Sequence, residues 1–362
     1  MAKIIVVGGG PSGMMAAYQA KKNNENDEVI LLDSNNILGK KLLLSGNGRC
    51  NVSVNVDDTE FIKGIVKNGK FLYSAMSQIS ISDIHNFFIK NDVLLKEEDH
   101  LRLFPKSEKA KDVVNMFEKL LLKQKVIIKL NHQVSDLNLV ESWIIVNDEK
   151  IYYDHLVLAT GGISYKETGS SGLIHKLLKK NGVGITKLLP QEVSLISEDE
   201  AITSKALQGL SFKDVKLSII EKNKKKKTIT HDLIITHFGL SGPCALRSSY
   251  EIVKKLQDSD EVIVSIDFIE ESNLPKRLLK YLSEHELDLH DFRLKIIATK
   301  SIDVAFVTNG GIEIKEIDPK DMKLKKYPNV SVCGELIDIS GYTGGYNITS
   351  SLISGYVAGS TI

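Results

Sequence analysis

The sequence predicts an α/β fold, in which a discontinuous domain built on a parallel sheet is interrupted by an inserted α+β domain. Three observations lead to this prediction. An apolar strand near the N-terminus continues through a glycine turn into a helix, strand and helix patterns then alternate, and a second strand, glycine turn and helix follow a stretch of short strands. We expect segments 1–187, 188–302 and 303–362, with the first and last forming one domain.

The first element is the apolar strand Ile4 to Val7, which leads into a turn over residues 8–13. In a turn of this spacing the first glycine permits a tight bend, the second lets a ligand approach the backbone, and the third lets the helix pack against the strand. The N-terminus of the helix attracts negative charge. We predict that this turn binds a pyrophosphate through Gly8, Gly10, Pro11, Ser12 and Gly13.

A second apolar strand, residues 29–32, ends in Asp33, which lies twenty residues after Gly13. A βαβ unit places an acid at this distance beside the hydroxyl groups of an adenosine ribose, and an acid rather than an arginine favours a free 2′-hydroxyl. The spacing therefore predicts a dinucleotide-binding unit. A plain strand, turn and helix with a chance acid at the strand end is the alternative.

Strand and helix patterns alternate after Asp33. The strand 156–159 is fully apolar and ends in Thr160, Gly161 and Gly162. Glycines at the C-terminal end of a parallel strand indicate the crevice where α/β proteins bind ligands. The other elements predicted here are helices at 74–91, 109–124 and 173–181, a strand at 126–130, and a hairpin of 143–146 with 150–153.

From about residue 188 the pattern changes to short strands, and we predict strands at 215–221, 228–235 and 262–268. A helical piece is predicted at 274–284, followed by a second at 289–299. The lysine-rich run 222–227 lies between two of the strands. We predict a solvated hairpin tip there, and contact with nucleic acid is the alternative.

The C-terminal segment repeats the opening design. An apolar strand at 329–333 ends in Gly334 and Glu335, and a glycine-rich turn at 341–347 opens a final helix. A second glycine turn that leads into a helix, far along the chain from the first, implies that both segments close on one elongated ligand.

Composition and charge limit the class of partner. The 362 residues suffice for two domains, 42% of them are hydrophobic, and the formal net charge is +1. A near-neutral chain has no overall field that favours nucleic acid or an anionic membrane, so we expect a small-molecule partner. The N-terminal apolar stretch lacks a signal-peptide cleavage site, and no segment is long and apolar enough to span a bilayer, so we expect a cytoplasmic protein.

The cysteines and histidines predict neither a disulfide framework nor a metal site. Cys50, Cys244 and Cys333 are widely spaced and include no C-x-x-C. The nine histidines are scattered, and His285 and His290 lack a third ligand at metal-binding spacing. We assign no metal.

The two ends of the chain together resemble the FAD-binding superfamily typified by glutathione reductase. A closer similarity is to the BaiN/RdsA flavoprotein family, whose members are also described as aminoacetone-oxidase-like or NAD(P)/FAD-dependent oxidoreductases. The motifs that carry it keep their order along nearly the whole chain and comprise residues 8–13, 38–42, 45–51, 104–107, 159–162, 236–243 and 344–347.

The resemblance implies a discontinuous Rossmann-like FAD-binding domain with an inserted α+β domain, made of a β subdomain and a small helical subdomain. The implied FAD-binding residues are those of the first turn, with Asp33, Ser34, Lys41, Gly48, Arg49, Cys50, Asn51, Val134, Ala159, Thr160, Gly161, Gly162, Gly334, Glu335, Gly345, Tyr346 and Asn347. Two departures stand out. The helical part of the insert is shorter than usual, and Leu324 stands where members often have serine.

The resemblance also implies an FAD-dependent oxidoreductase that moves a hydride between the flavin and a small organic substrate. The chain has no second G-x-G-x-x-G, so we expect NAD(P)H to act as a transient reductant. Two residues are candidate catalytic groups: Cys50 as a thiol near the flavin or a small packing residue, and His237 as a proton carrier or a turn-stabilising residue. A flavin-dependent tRNA-modifying enzyme and a non-catalytic FAD-binding interaction protein are the alternatives.

Overall fold

The computed structural model describes residues 1–222, 224–269 and 274–362. Within them the chain forms two compact units. The first unit comprises Met1–Leu188 and Asn309–Ile362, and the second comprises Leu189–Thr308. The predicted segments 1–187, 188–302 and 303–362 stay a prediction about which parts form the cofactor domain, because compactness alone does not test what binds there.

A mixed sheet forms the centre of the first unit. In the described part of this unit it has six strands, in the order β20-β21-β10-β1-β2-β6. Their bounds are β1 Lys3–Val7, β2 Glu28–Leu32, β6 Ile127–Lys129, β10 His155–Leu158, β20 Lys323–Leu324 and β21 Tyr327–Val332. Strands β6, β2, β1, β10 and β21 are parallel, and only β20 of this sheet runs antiparallel. Parallel strands of this kind are buried on both faces, which explains their continuous apolar sequences.

Helices and two small sheets surround the central sheet. The helices are α1 Pro11–Asn23, α2 Lys40–Leu44, α3 Asp58–Gly64, α4 Tyr73–Met76, α5 Ile81–Lys90, α6 Ala110–Lys123, α7 Leu173–Lys180 and α11 Tyr346–Ser360. The small sheets contain β3 Ser53–Val54, β4 Leu95–Glu98 and β5 Arg102–Pro105 in one, and β7 Val134–Asn138, β8 Trp143–Val146 and β9 Glu149–Tyr152 in the other. The predicted helices at 109–124 and 173–181 and the predicted hairpin are confirmed.

The predicted helix at 74–91 is wrong as a single element. The side chain of Ser80 accepts a hydrogen bond from the backbone N–H of Asp83, and the Asp83 carboxylate accepts one from the backbone N–H of Ser80. This capping box begins α5 afresh after α4 has ended.

Helix α11 crosses α1 at close range. A Cβ added to Gly355 would collide with the carbonyl oxygen of Ser12, and one added to Gly359 would collide with that of Ala16. The two helices can therefore approach only because α11 has glycine at both contact positions. This packing fixes the last helix against the first glycine turn.

The second unit has its own core, built on an antiparallel sheet. Within its described residues the sheet has seven strands in the order β17-β16-β13-β14-β15-β12-β18. The bounds are β12 Leu195–Ile196, β13 Ser211–Glu221, β14 Lys224–Ile235, β15 Gly239–Ser241, β16 Val262–Asp267, β17 Phe292–Ile296 and β18 Ala298–Thr299. The helices are α8 Glu200–Thr203, α9 Gly242–Lys255 and α10 Lys276–Glu284, and short strands β11 Leu189–Gln191 and β19 Val307–Asn309 lie where the chain enters and leaves this unit.

One prediction for this unit is wrong, and another is confirmed with different bounds. The segment 289–299 is not helical but contains β17 and β18, because Phe292, Leu294 and Ile296 are buried at alternate positions. The predicted hairpin at the lysine-rich run is confirmed, since β13 and β14 are antiparallel and Glu221 pairs with Lys224, but lysines 224–227 lie in β14 and not at the tip. Position 223 of the lysine-rich run lies outside the described residues.

Candidate functional site

The C-terminal ends of four parallel strands meet at one edge of the central sheet. Strand β1 is followed by the turn 8–10, β2 by Asp33, β10 by Ala159 to Gly162, and β21 by Gly334 and Glu335. Parallel α/β sheets bind ligands at this edge. The predicted site residues on these four segments are therefore brought together by the strand order alone.

The glycines of the first turn serve different purposes. Gly8 has φ of 109°, and a Cβ there would collide with the carbonyl oxygen of Ala159. A Cβ on Gly13 would collide with the carbonyl oxygen of Gly8, so this glycine lets α1 lie against the turn. A Cβ on Gly10 would meet nothing within 4 Å. Gly10, which precedes α1, therefore faces open space, where an anion can reach the first N–H groups of the helix.

Asp33 is held by its neighbours on both carboxylate oxygens. Its Oδ2 accepts a hydrogen bond of 2.6 Å from the backbone N–H of Gly9. Its Oδ1 accepts bonds of 2.7 and 2.8 Å from the backbone N–H and the side-chain amide of Asn35. Asp33 therefore connects the end of β2 to the first glycine turn.

An ion pair joins three segments of the same edge. The Lys41 ammonium lies 2.8 Å from Oε2 of Glu335 and donates a hydrogen bond of 2.8 Å to the Ser164 hydroxyl. Both charged side chains are only partly exposed, at 31% for Lys41 and 19% for Glu335. A Cβ added to Gly161 would have the Glu335 carboxylate as its nearest neighbour, 3.8 Å away, so the backbone here is open on the site side.

The loop of residues 45–51 is fixed by contacts within the first unit. Gly46, Asn47, Gly48 and Cys50 all have positive φ. The guanidinium of Arg49 lies 4.3 Å from the ring centre of Phe104 and donates to the Glu98 carboxylate at 2.9 Å. In the amide orientation that satisfies its neighbours, Asn51 donates to the Ser53 and Leu103 carbonyl groups and accepts from the N–H of Gly345 at 3.3 Å.

Cys50 lies inside this loop with none of its surface exposed. Burial raises the pKa of its thiol to about 12, and a hydrogen bond with Ser45 lowers it only partly. A thiol in this environment stays protonated near neutral pH and is a poor nucleophile. Its side chain cannot contact a flavin or a substrate without rearrangement of the loop, so the packing role is the one that the geometry favours.

The start of α11 is packed against protein. Gly345 has φ of 102°, and a Cβ there would collide with the backbone of Ser53. The Tyr346 ring stacks on Phe61 with a centroid distance of 5.4 Å, and the Asn347 side chain bridges both backbone groups of Gly341 at 2.8 and 2.9 Å. A larger residue at position 345 would therefore disturb β3 directly, whatever it does to a cofactor.

A hydroxyl chain supports the first turn of α11. The Thr349 hydroxyl donates to the Ser53 hydroxyl at 2.9 Å, and the latter lies 2.9 Å from Nε2 of His85. Burial lowers the pKa of His85 below its ordinary value. Sequence patterns do not reveal this series of hydrogen bonds, because the residues that form it are far apart in the sequence.

Two predicted site residues differ from those at the sheet edge, because one is buried and the other belongs to the second unit. Val134 begins β7, and its side chain is 5% exposed, so only its backbone is available to a ligand. His237 belongs to the second unit, where it is exposed and its ring meets that of Phe238 edge-on at 5.0 Å. Exposure leaves His237 accessible to a proton donor or acceptor.

Three residues of the site were not found from the sequence. Asn35 and Ser164 bind the predicted residues Asp33 and Lys41. His175, on α7, is 4% exposed, and its Nε2 has no hydrogen-bond partner among the residues described. Burial lowers the pKa of His175 to about 4, against an opposing effect of Glu335. Of these three residues, only Asn35 is indicated by the local sequence. An amide two residues after an acid is typical of a turn that a side-chain hydrogen bond closes.

The residues present fit a dinucleotide such as FAD. The backbone at Gly10 is open where a pyrophosphate would approach, and the turn that contains it begins a helix. An acid stands at the end of β2, where an adenosine ribose is expected. No helix among residues 1–222, 224–269 and 274–362 is long and apolar enough to cross a membrane.

Comparison with known proteins agrees with this architecture. The model of a family described as HI0933-like protein Rossmann domain matches residues 2–361. A protein of Clostridium scindens named 3-dehydro-bile acid delta(4,6)-reductase is 26% identical over 371 residues, which cover 89% of each chain. A ribosomal RNA dihydrouridine synthase of Haemophilus influenzae is 24% identical over 374 residues, which cover 90% of each chain.

A solved structure shows the same fold. It is 3-ketosteroid-delta4-(5alpha)-dehydrogenase from Rhodococcus jostii RHA1 in complex with 4-androstene-3,17-dione, with a TM-score of 0.57 and 12% identity over 99% of this chain and 96% of that chain. The family match and this fold confirm the predicted class, a Rossmann-type FAD-binding fold of mixed α/β content.

Proposed function

Because this chain belongs to the HI0933-like family of FAD-binding Rossmann proteins and is thus an FAD-dependent oxidoreductase, we propose that it reduces a carbon–carbon double bond conjugated to a carbonyl group. The observation that carries the proposal is the chemistry that two relatives share. A delta(4,6)-reductase of a 3-dehydro steroid and a dihydrouridine synthase both saturate a double bond of this type. We propose a small organic molecule as the substrate.

The cofactor assignments are part of the proposal. Bound FAD would supply hydride transfer. The turn with Gly8, Gly10 and Gly13 would hold the pyrophosphate, and Asp33 would hold the adenosine ribose. Lys41, Glu335 and the start of α11 would hold the flavin half. These side chains and backbone groups orient the cofactor and exclude water.

Saturation of a conjugated double bond also needs a proton at the carbon next to the carbonyl group. His237 is our candidate donor, because imidazole is the side chain that most often performs this task and His237 is exposed. A His237→Gln variant should slow substrate reduction and leave flavin reduction by NAD(P)H unchanged. His290→Gln, an exposed histidine of the same unit, is the matched control.

An anaerobic half-reaction experiment tests the proposal. The holoenzyme is mixed with NADH or NADPH and flavin absorbance is followed, and the reduced enzyme is then mixed with conjugated enones, matched saturated ketones and isolated alkenes. We expect one nicotinamide to reduce the flavin, and enones to reoxidise it at least about tenfold faster than the two control classes. Reoxidation by dioxygen but by none of the enones would contradict the proposed substrate class.

RNA is a second candidate substrate, because the relative named a ribosomal RNA dihydrouridine synthase covers 90% of this chain. The comparison gives no support for the expectation that nucleic acid is excluded. Lys224, Lys225 and Lys226 are exposed on β14, whereas Lys227 is paired with Glu251 at 3.1 Å. Titration of unmodified ribosomal RNA fragments at several salt concentrations separates the candidates. Salt-sensitive binding lost on changing all three exposed lysines to glutamine would favour RNA.

A further inference from the structure

Asn35 uses every polar atom of its side chain at the end of β2. The amide nitrogen donates to Oδ1 of Asp33 at 2.8 Å and to the carbonyl oxygen of Thr168 at 2.9 Å. The amide oxygen accepts from the Lys40 ammonium at 3.1 Å. Because a lysine can only donate, these bonds fix which way the amide faces. The orientation that results places an N–H group on the Asp33 carboxylate.

The same residue lies where three segments meet. The backbone N–H of Asn131, after β6, donates to the Asn35 carbonyl oxygen at 2.9 Å, and that of His132 donates to the Asp33 carbonyl oxygen at 2.8 Å. On the other side, a Cβ on Gly169 would come within 2.9 Å of both Ser34 Oγ and Asn35 Nδ2. Residues 33–35, 131–132 and 168–169 therefore form one hydrogen-bonded corner around the Asp33 carboxylate.

The hydrogen bonds around Asp33 limit what else it can bind. A carboxylate has about four acceptor positions, two on each oxygen. Asn35 occupies both positions of Oδ1, and the N–H of Gly9 occupies one position of Oδ2. Among the described residues this leaves about one acceptor position, on Oδ2, on the side of the glycine turn. Asp33 can thus accept a bond from one ribose hydroxyl rather than from two.

We infer that Asn35 is a positioning residue for the adenosine half of the cofactor: it turns the Asp33 carboxylate so that Oδ2 alone is presented to a single ribose hydroxyl. The inference rests on the proposed FAD site, in which Asp33 is the ribose ligand. The corner is held by protein hydrogen bonds and contains none of the residues that we assign to the flavin half. The full chain should therefore bind ADP as an independent ligand.

The test compares ADP with 2′-deoxy-ADP and 3′-deoxy-ADP, each used to displace FAD from the full chain. In the wild-type protein one of the two deoxy analogues should bind about tenfold more weakly than ADP, and the other should bind within about twofold of ADP. In Asn35→Ala, ADP and FAD should bind about tenfold more weakly than they bind the wild-type protein. The ratio of affinities between ADP and the weaker-binding deoxy analogue should fall below about twofold. Asn36→Ala, an exposed neighbour, should change neither value.

The outcomes separate this inference from the cofactor site itself. If Asn35 is only structural, Asn35→Ala would weaken ADP and both deoxy analogues by the same factor, and the inference would be overturned. Equal loss for both deoxy analogues in the wild-type protein would overturn the single-hydroxyl assignment. If Asp33→Ala leaves FAD and ADP affinities unchanged, the proposed ribose site fails. If Asp33→Ala weakens both ligands and Asn35→Ala weakens neither, only the role of Asn35 fails.

Discussion

The bond between Asp33 and the N–H of Gly9 makes one carboxylate serve the turn as well as the proposed ribose site. Its length is 2.6 Å, and both groups lie at the part-buried sheet edge. Bonds that involve a charged group contribute about twice as much as neutral ones. At the scale of single residues, the effect of a substitution at this edge therefore depends on which atom donates and which accepts.

Asp33→Asn should weaken FAD binding at least as much as Asp33→Ala. The asparagine oxygen can replace Oδ1 opposite Asn35, but its NH2 group would then face the N–H of Gly9, so that two donors meet. We expect a loss of about 1–3 kcal/mol, measured as the FAD dissociation constant by quenching of flavin fluorescence. Tighter binding by the asparagine variant than by the alanine variant would show that the Gly9 bond is unimportant.

The three cysteines should resist alkylation in the native protein. Cys50, Cys244 and Cys333 have no exposed surface, and burial raises the pKa of each thiol to about 12. Alkylation needs the thiolate. Mass spectrometry after treatment with iodoacetamide should show no adducts on the folded chain and three on the chain in urea. Rapid labelling of Cys50 alone in the folded protein would restore it as a reactive thiol.

Among the elements, α11 depends on two glycines that serve packing and not flexibility. Gly355 lies inside the helix, where glycine costs about 1 kcal/mol relative to alanine, and Gly359 lies in its last turn. Their added Cβ atoms would meet backbone atoms of α1, which cannot move aside as a side chain can. Helix propensity and packing therefore predict opposite signs for the same substitution.

Gly355→Ala and Gly359→Ala should destabilise the first unit by about 1–3 kcal/mol each, because overpacking against backbone outweighs the gain in helix propensity. Urea unfolding followed by the fluorescence of Trp143, the one tryptophan of the sequence, reports on this unit. Ser360→Ala at the helix end is the control and should change stability by less than about 0.5 kcal/mol. An increase in stability in either glycine variant would mean that the helices are not in close contact.

Much of the first unit could be predicted from local sequence, because its buried strands have apolar runs that end in glycine or an acid. The turn at Gly8 and the acid Asp33 follow from spacing within one βαβ unit. The contacts of Asn35 could not be predicted, because its partner Thr168 is remote in sequence and is brought near only by the strand order. In the second unit, the alternating residues 292–296 were mistaken for a helix because the buried run is short.

For the whole molecule, stability should fall between neutral and mildly acidic pH. His155, bonded to Ser331 at 3.0 Å, and His175 are buried, and burial lowers the pKa of each to about 4 from 6.5. Between these values the unfolded chain binds protons that the folded chain does not. The stabilisation is therefore complete above pH 6.5 and is lost as the pH falls towards 4.

Protonation of each of these two histidines in the unfolded chain should lower the free energy of unfolding by about 2 kcal/mol between pH 7 and pH 5. Urea unfolding at both pH values, followed by Trp143 fluorescence, measures the loss. His155→Gln removes one titrating group and should make the loss of unfolding free energy between the two pH values smaller by about 2 kcal/mol, whatever it does to stability at pH 7. An unchanged dependence in His155→Gln would show that His155 titrates normally.

The pairing of β10 with β21 and the packing of α1 under α11 have a consequence for biosynthesis. A ribosome makes the first and second strands of the central sheet long before it makes β21 and α11, and domains fold in the order of synthesis only when all their parts have emerged. The second unit is continuous in the sequence, so all of it is made before the first unit is complete. We therefore expect the first unit to stay incomplete until translation reaches α11, and messages truncated before that helix should yield chains that do not retain cofactor.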